Sequence, residues 1–595
     1  MSVPVLYRIR PVSPEAHLFE VTLTVSHPAK KGQVFGLPAW IPGSYMIREF
    51  ARNIVSLRAE SEGKPVAINK IDKHTWQAQA VNKPLLLRYQ VYAFDLSVRG
   101  AYLDGQRGFF NASSVFLSVE GYEQSPCDVE VEPPRGKEYH DWQLATALEA
   151  HGDRHSHDGF GRYRAENYDV LIDHPFEMGS FERIEFKACG VVHELVVSGR
   201  FSADLKRLAR DAKKICEWQI RLFGQPAPFE RYVFMLFVGH EVYGGLEHRN
   251  STALMADRDD LPIPGVKSIS DGYLRLLGLI SHEYFHAWNV KRIKPAAFAP
   301  YDLSRENYTR LLWAFEGVTS YYDDLALLRC GLIDQERYLG LLAQTVSTVE
   351  RGPGRKKQTL EESSFDAWIK YYRQDENSPN SIVSYYTKGA LVALTLDLLI
   401  RQKSHGAESL DDVMRALWQK WLQDGKGLDE DEWERHASAV SGVDLSEFFD
   451  LALRSTTPLP LVELLSSQGI KLEWTRATHA DDRGGLAGST SGDALRLVLG
   501  VKTSSDASGI KLQHVYDDGA AQRAGLSAGD VLVALNGVRV VDLDKMLARL
   551  SPGDPVQVHA FRRDELLVFQ VIPAKPAVDI CRLSLSQQAG EWPRI

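Results

Sequence analysis

Asp271-Gly-Tyr-Leu-Arg-Leu-Leu-Gly-Leu-Ile280-Ser-His-Glu-Tyr-Phe-His-Ala-Trp-Asn-Val290 is the segment from which the rest of the chain can be read. Leu276, Ile280, Tyr284 and Ala287 recur every three or four residues, the period of an amphipathic helix. On such a helix His282 and His286 project from one face, one turn apart, so both imidazoles can reach a single divalent ion. Glu283 is rotated by one residue from His282 and is placed as a base for water at that metal.

A catalytic site of this kind needs a third protein ligand and an open position. The candidate is Glu316, within Trp313-Ala-Phe-Glu-Gly-Val-Thr-Ser-Tyr-Tyr322. Leu311, Phe315, Val318, Tyr322 and Leu325 mark a buried helical face around it, where an unpaired carboxylate would be costly. Metal ligation would satisfy it, and so would a buried salt bridge. Glu306 is a second carboxylate that spacing leaves open. Two imidazoles and a carboxylate select zinc, one ion per chain, with manganese or cobalt able to substitute.

Working outward, the chain has 595 residues, enough for about four domains of ~150 residues. Residues 3–10 and 18–26 alternate apolar and polar side chains between turn signals and 85–94 is another strand-like stretch, which predicts a β-sandwich-like N-terminal domain over 1–165. A catalytic domain is expected at 166–335 and a mostly helical part of it at 336–455. A linker follows at 456–490, a β-rich module at 491–576 and a tail at 577–595. The fold class is therefore multidomain α+β. Its 69 basic and 78 acidic residues leave a net charge of −9, which argues against broad nucleic-acid or anionic-membrane binding. No apolar run approaches the ~20 residues of a membrane helix. No signal peptide is read at residues 1–10, and the five cysteines are scattered without a Cys-x-x-Cys pair. A cytoplasmic protein without nucleic-acid or membrane partners is the expectation.

Glu316-Gly-x-x-x-Tyr321 after an H-E-x-x-H helix resembles the gluzincin pattern of the aminopeptidase N superfamily. The shorter spacer of aminopeptidase N would end at Arg305; here 29 residues separate His286 from Glu316. That spacer, the tract His286-Ala-Trp-Asn-Val-Lys-Arg-Ile-Lys-Pro295 and Pro38-Ala-Trp-Ile-Pro-Gly-Ser-Tyr-Met-Ile-Arg48 resemble the glycyl aminopeptidases of metallopeptidase family 61. The resemblance implies a thermolysin-like catalytic domain, and removal of small N-terminal residues, glycine first and alanine second.

Gly244-Gly-Leu-Glu-His248 resembles the Gly-x-Met-Glu-Asn strand of aminopeptidase N, with Leu246 for Met and His248 for Asn. Gly244 and Gly245 would allow close approach of an extended peptide, and Glu247 would pair with its free α-amino group. Tyr386-Thr-Lys-Gly389 resembles the tract whose tyrosine stabilises the oxyanion, with Tyr385 adjacent as a substrate contact. Near the C-terminus, residues 499–501, 509–515 and 524–537 look like a PDZ domain of the bacterial protease type. Its Leu499, Gly500 and Val501 loop would receive a C-terminal carboxylate beside a groove helix at 542–550. The reading is a zinc aminopeptidase acting on peptides with a free N-terminus, with a possible C-terminal peptide ligand at the PDZ groove. The alternatives are a catalytically inactive PDZ-containing scaffold and a zinc endopeptidase.

Overall fold

The computed structural model describes residues 3–155, 158–488 and 493–586. Residues 1–2, 156–157, the end of the Gly/Ser-rich stretch at 489–492 and the end of the tail at 587–595 lie outside the described residues. Two compact units emerge: 1–307 with 418–428, and 308–417 with 429–595.

The first unit opens with an all-β region. Strands Val5–Ser13, Leu18–Val25 and Leu85–Tyr92 lie side by side in an eight-stranded sheet, with inward residues fully buried at alternate positions. Two four-stranded sheets share its apolar core, which runs on through Leu246, Ala253 and Met255. These three residues belong to a five-stranded sheet, so one continuous core joins the β region to the sheet that carries the site.

That sheet has the order Phe181–Ala188, Val191–Ser198, Arg231–Gly239, Ser251–Asp257, Gly244–Glu247. The last strand runs antiparallel to its neighbour, pairing Gly245 with Leu254 and Glu247 with Thr252, and among the described residues its other edge carries no strand. Helices Leu205–Phe223 and Asp271–Phe285 belong to the same unit. The second begins at Ser270, whose hydroxyl accepts from the Tyr273 amide (3.1 Å), and Asp271 sits in the positively polarised first turn.

The second unit is helical around Val318–Arg329, Gln335–Arg351 and Thr387–Lys403. Where the spacing of Leu311, Phe315, Val318, Tyr322 and Leu325 suggested one helical face, the chain forms a π-helical turn, Trp313–Gly317, before the α-helix that starts at Val318. Residues 456–490 and 577–595, expected as linker and tail, hold a helix (Leu461–Ser467) and a three-stranded sheet. In that sheet Ile580–Leu585 lies between Ile470–Thr475 and Gly485–Leu486. Long-range contacts hold it: the Ser347 hydroxyl of helix Gln335–Arg351 accepts from the Cys581 amide (2.9 Å), and buried Arg582 and Asp482 form an ion pair (2.6 Å). Periodicity alone hid this sheet because its strands are short and far apart in sequence.

The β-rich module has the strand order Val501–Ser505, Ile510–Val515, Val531–Leu535, Val556–Arg562, Glu565–Val571. Asn536 and Gly537 both have positive φ (46° and 76°), as a two-residue hairpin turn requires. The groove helix is Leu543–Leu547, shorter than the 542–550 expected. Among the described residues no helix is long and apolar enough to cross a membrane.

Candidate active site

His282 and His286 stand one turn apart with ring centroids 4.7 Å from each other. The His286 Nδ1 lies 2.7 Å from the Asn289 carbonyl, so Nδ1 carries the proton and Nε2 is the atom that could ligate a metal. The helix is held from behind at both ends. Tyr273 donates to Asp211 (2.8 Å), Gln219 donates to the carbonyl and hydroxyl of Ser281 (2.9 and 3.0 Å), and Tyr284 meets His193 Nε2 at 2.8 Å. Burial pushes His193 down to about 4, so it is a neutral ring at ordinary pH. These anchors fix the helix about its own axis, which decides where both histidines point.

Glu247 and Glu283, both buried, face the same space. Ligand atoms of Glu247, Glu283 and His286 all lie within 4.8 Å of one another. Each carboxylate rests against a glycine: Glu283 touches the position where Gly245 would carry a Cβ, and Glu247 does the same at Gly43. The Glu247 Oε1 is buried and has no hydrogen-bond partner among the described residues. A buried carboxylate oxygen in that state is poised for a cation. His286 belongs to both candidate clusters that could hold an ion, and its Nδ1 is committed to Asn289, so only one ring nitrogen is on offer to a metal.

His248, which stands where the resemblance has Asn, turns away from this space. Its Nδ1 lies 3.6 Å from Asp173, which also pairs with buried Lys291 (2.6 Å) and accepts from the Arg249 amide (2.9 Å). Burial alone would raise the Asp173 carboxyl, but Lys291 and Arg249 outweigh it and hold it well below the usual range. This cluster ties the loop after the Gly244–Glu247 strand to the tract 286–295, and no sequence signal marked Asp173 for it. Phe109 and Phe110 lie in the β core, with Phe110 stacked on Phe176 at 4.8 Å.

In the second unit Glu316 is 2 % exposed on its π-helical turn, backed by Thr319, whose hydroxyl donates to the Phe315 carbonyl (2.7 Å). π-turns recur at functional sites because the extra residue redirects a side chain. Gly317 meets Gly389 backbone to backbone: a methyl on Gly317 would lie 2.5 Å from the Gly389 Cα and 2.7 Å from the Tyr385 carbonyl. This approach sets Glu316 beside the start of helix Thr387–Lys403. Tyr386 caps that helix and is part-exposed, whereas Tyr385 is fully buried between Tyr371 and Tyr386 at 4.8 and 4.7 Å. The two tyrosines are thus separated by burial: Tyr386 can meet a ligand and Tyr385 packs. Tyr371 and Tyr372 complete the cluster, with Tyr372 and Tyr386 hydroxyls 3.5 Å apart. Burial, then the charge of Glu316, push the Tyr386 phenol well above its usual value, so it stays a protonated donor.

In the β-rich module Leu499 is buried, and Gly500 has φ +75° with its Cα against Gly519. The Gly500 carbonyl accepts from the Tyr516 amide (3.0 Å). The Val501–Ser505 strand lies at the sheet edge, as peptide addition requires.

Three family profiles match: the peptidase M61 N-terminal domain over residues 6–180, the M61 glycyl aminopeptidase over 275–392, and a PDZ domain over 498–572. A solved aminopeptidase N family protein from Idiomarina loihiensis is 43% identical over 98% of both chains, with a TM-score of 0.94. The chain belongs to the M61 glycyl aminopeptidase family. This M61 chain is therefore, by family, a peptide hydrolase of the metallopeptidase class with a PDZ domain. An M1 zinc metallopeptidase from Deinococcus radiodurans is 14% identical, covering 77% of this chain and 96% of that one, with a TM-score of 0.47. Aminopeptidase A of Legionella pneumophila is 15% identical over 76% of this chain and 49% of its own, with a TM-score of 0.49. No curated protein matches.

Proposed function

We propose that this M61 peptidase is a zinc-dependent aminopeptidase that removes small N-terminal residues, glycine before alanine. The observation that carries the reading is the Glu247 carboxylate. It is buried on a free sheet edge, keeps Oε1 without a partner, and shares one space with Glu283 and His286. An α-ammonium group is the substrate feature that would satisfy it, and an internal peptide bond has none. Gly43 at the same carboxylate supports a small first residue, since its backbone already occupies the nearby volume.

His282, His286 and Glu316 would hold the metal, one ion per chain, by the family pattern and the donor chemistry of two neutral imidazoles with a carboxylate. When bound, zinc would lower the pKa of water and polarise the scissile carbonyl. Glu247 binds the ammonium and, with the Gly244–Glu247 edge, aligns the peptide backbone. Glu283 accepts the proton of the attacking water and returns it to the leaving amine. Tyr386, protonated at a helix N-terminus, donates to the carbonyl oxygen as charge builds there. Leu499, Gly500 and Val501 offer the PDZ groove to a peptide carboxylate, a second partner for the chain.

The test is hydrolysis of glycyl-, alanyl- and leucyl-arylamides, each with and without an N-acetyl cap, before and after chelation. Chelator-sensitive cleavage of the uncapped glycyl and alanyl compounds, in that order, is expected. Cleavage of capped substrates would make the enzyme an endopeptidase, and a metal-loaded chain inert towards all six would favour the scaffold.

A further inference from the structure

The PDZ domain is hydrogen-bonded to the segment that leads into Tyr386. Asn380, 3 % exposed and six residues before that tyrosine, spends both ends of its amide on PDZ backbone. Its Nδ2 donates to the Val515 carbonyl (2.8 Å), and its Oδ1 accepts from the Asp517 amide (2.9 Å). Nδ2 also lies 3.2 Å from Asn377 Oδ1. The Asp517 carboxylate pairs with Lys357 and accepts from Gln522 (2.7 Å), and His514 meets the Glu376 carbonyl at 3.0 Å. The bond to Lys357 holds Asp517 below the usual carboxylate range.

These contacts converge on the chain that carries the tyrosines. Gln358, next to Lys357, accepts from the Val383 amide (3.0 Å), the Ser363 hydroxyl donates to the Val383 carbonyl (2.5 Å), and Gly354 presses on the Ile382 backbone. Asp517 therefore grips both segments, through Lys357 and Asn380, that hold residues 382–386 in place. A side-chain amide that reads one carbonyl and one N–H on the same strand end fixes direction as well as distance, which a single hydrogen bond does not. The same strand end reaches the carboxylate loop, because Tyr516 donates to Gly500 and Val515 pairs with Val501.

We propose that Asn380 is a positioning residue for Tyr386, anchoring it to the PDZ domain through Val515 and Asp517. The proposal rests on the reading of Tyr386 as the donor to the developing oxyanion. Its role predicts a kcat effect, because Tyr386 is needed when charge develops and not when substrate binds.

The experiment is a double-mutant cycle in the full-length enzyme, with kcat and KM measured on the glycyl-arylamide. Tyr386→Phe alone is expected to lower kcat by roughly a hundredfold. Asn380→Ala is expected to lower kcat by about tenfold with KM within about twofold, and to add nothing in the Tyr386→Phe background. Asn380→Gln, which keeps both amide functions, should recover part of the loss. Lys357→Met removes the other grip without touching the core and should give a smaller loss, again absent in the Tyr386→Phe background. It also serves if Asn380→Ala fails to fold. Additive losses, or full kcat in both Asn380→Ala and Lys357→Met, would overturn the proposal. Full kcat in Tyr386→Phe would overturn the reading of Tyr386 itself, a separate result.

Discussion

Gly43 and Glu247 face one another so closely that a methyl group on Gly43 would lie 2.5 Å from both carboxylate oxygens. Gly43 also has φ +90°, a conformation that side chains disfavour. Gly43→Ala must therefore displace the carboxylate assigned to the substrate amine. The expected outcome is a roughly 10- to 100-fold fall in kcat/KM on the glycyl-arylamide, most of it in KM, with the metal content retained. Wild-type KM in this variant would remove Gly43 from the amine site.

Glu283 is assigned to proton transfer and not to metal ligation. Replacing it with Gln keeps shape and hydrogen-bonding capacity but loses the base. Zinc content measured by atomic absorption should stay at one per chain while kcat falls at least about 10²-fold. Undiminished turnover would eliminate Glu283 as the base, and loss of zinc would make it a ligand.

The contact between Gly317 and Gly389 leaves no room for a side chain on either. Gly389→Ala would raise the intrinsic propensity of helix Thr387–Lys403, yet it places a methyl 2.8 Å from the Gly317 Cα. Overpacking should win, costing about 1–3 kcal/mol of stability and lowering kcat by moving Tyr386 relative to Glu316. A thermal melt and a kcat measurement check this. A higher Tm with full kcat would show that the two segments separate at little cost.

His193 links pH to stability behind the helix Asp271–Phe285. Its pKa is about 4 in the folded chain and near 6.5 when unfolded, so between these values only the unfolded state takes up the proton. Its contribution is complete above pH 6.5 and is lost as pH falls towards 4. His193→Phe, stacking on Phe186 as His193 does at 5.1 Å, should flatten the stability profile between pH 7 and pH 5 by on the order of 2 kcal/mol. Denaturant melts at pH 7 and pH 5 measure it, and an equal drop in both proteins would assign the acid sensitivity elsewhere. His174, also held at about 4 by burial, is the first alternative.

The parts of the site that could be read from residue order are those whose geometry is local. His282, Glu283 and His286 share one helix turn, so their spacing fixes their relation before any packing. The hairpin at Asn536-Gly537 was readable for the same reason, because two φ-positive residues between strands suffice. The direction of His248, by contrast, depends on Asp173, which lies between helix Tyr168–Ile172 and strand Pro175–Gly179 and shows no periodic signal. Tyr385 and Tyr386 have the same chemistry and adjacent positions, and only the burial of Tyr385 against Tyr371 separates them.

By itself the amino-acid order determined the helix that carries His282, Glu283 and His286, the α+β class and, through resemblance of its motifs, the PDZ module and the family, because hydrophobic period and motif spacing are short-range properties of a chain. Tertiary structure alone decided that Gly43 lies on Glu247, that residues 470–475 and 580–585 form one sheet, and that Asn380 bonds Val515 and Asp517. Each of these joins segments separated by a hundred residues or more. Such contacts are set by which buried faces and backbone groups find partners when the core closes, and that free energy belongs to the packed whole and not to any one segment.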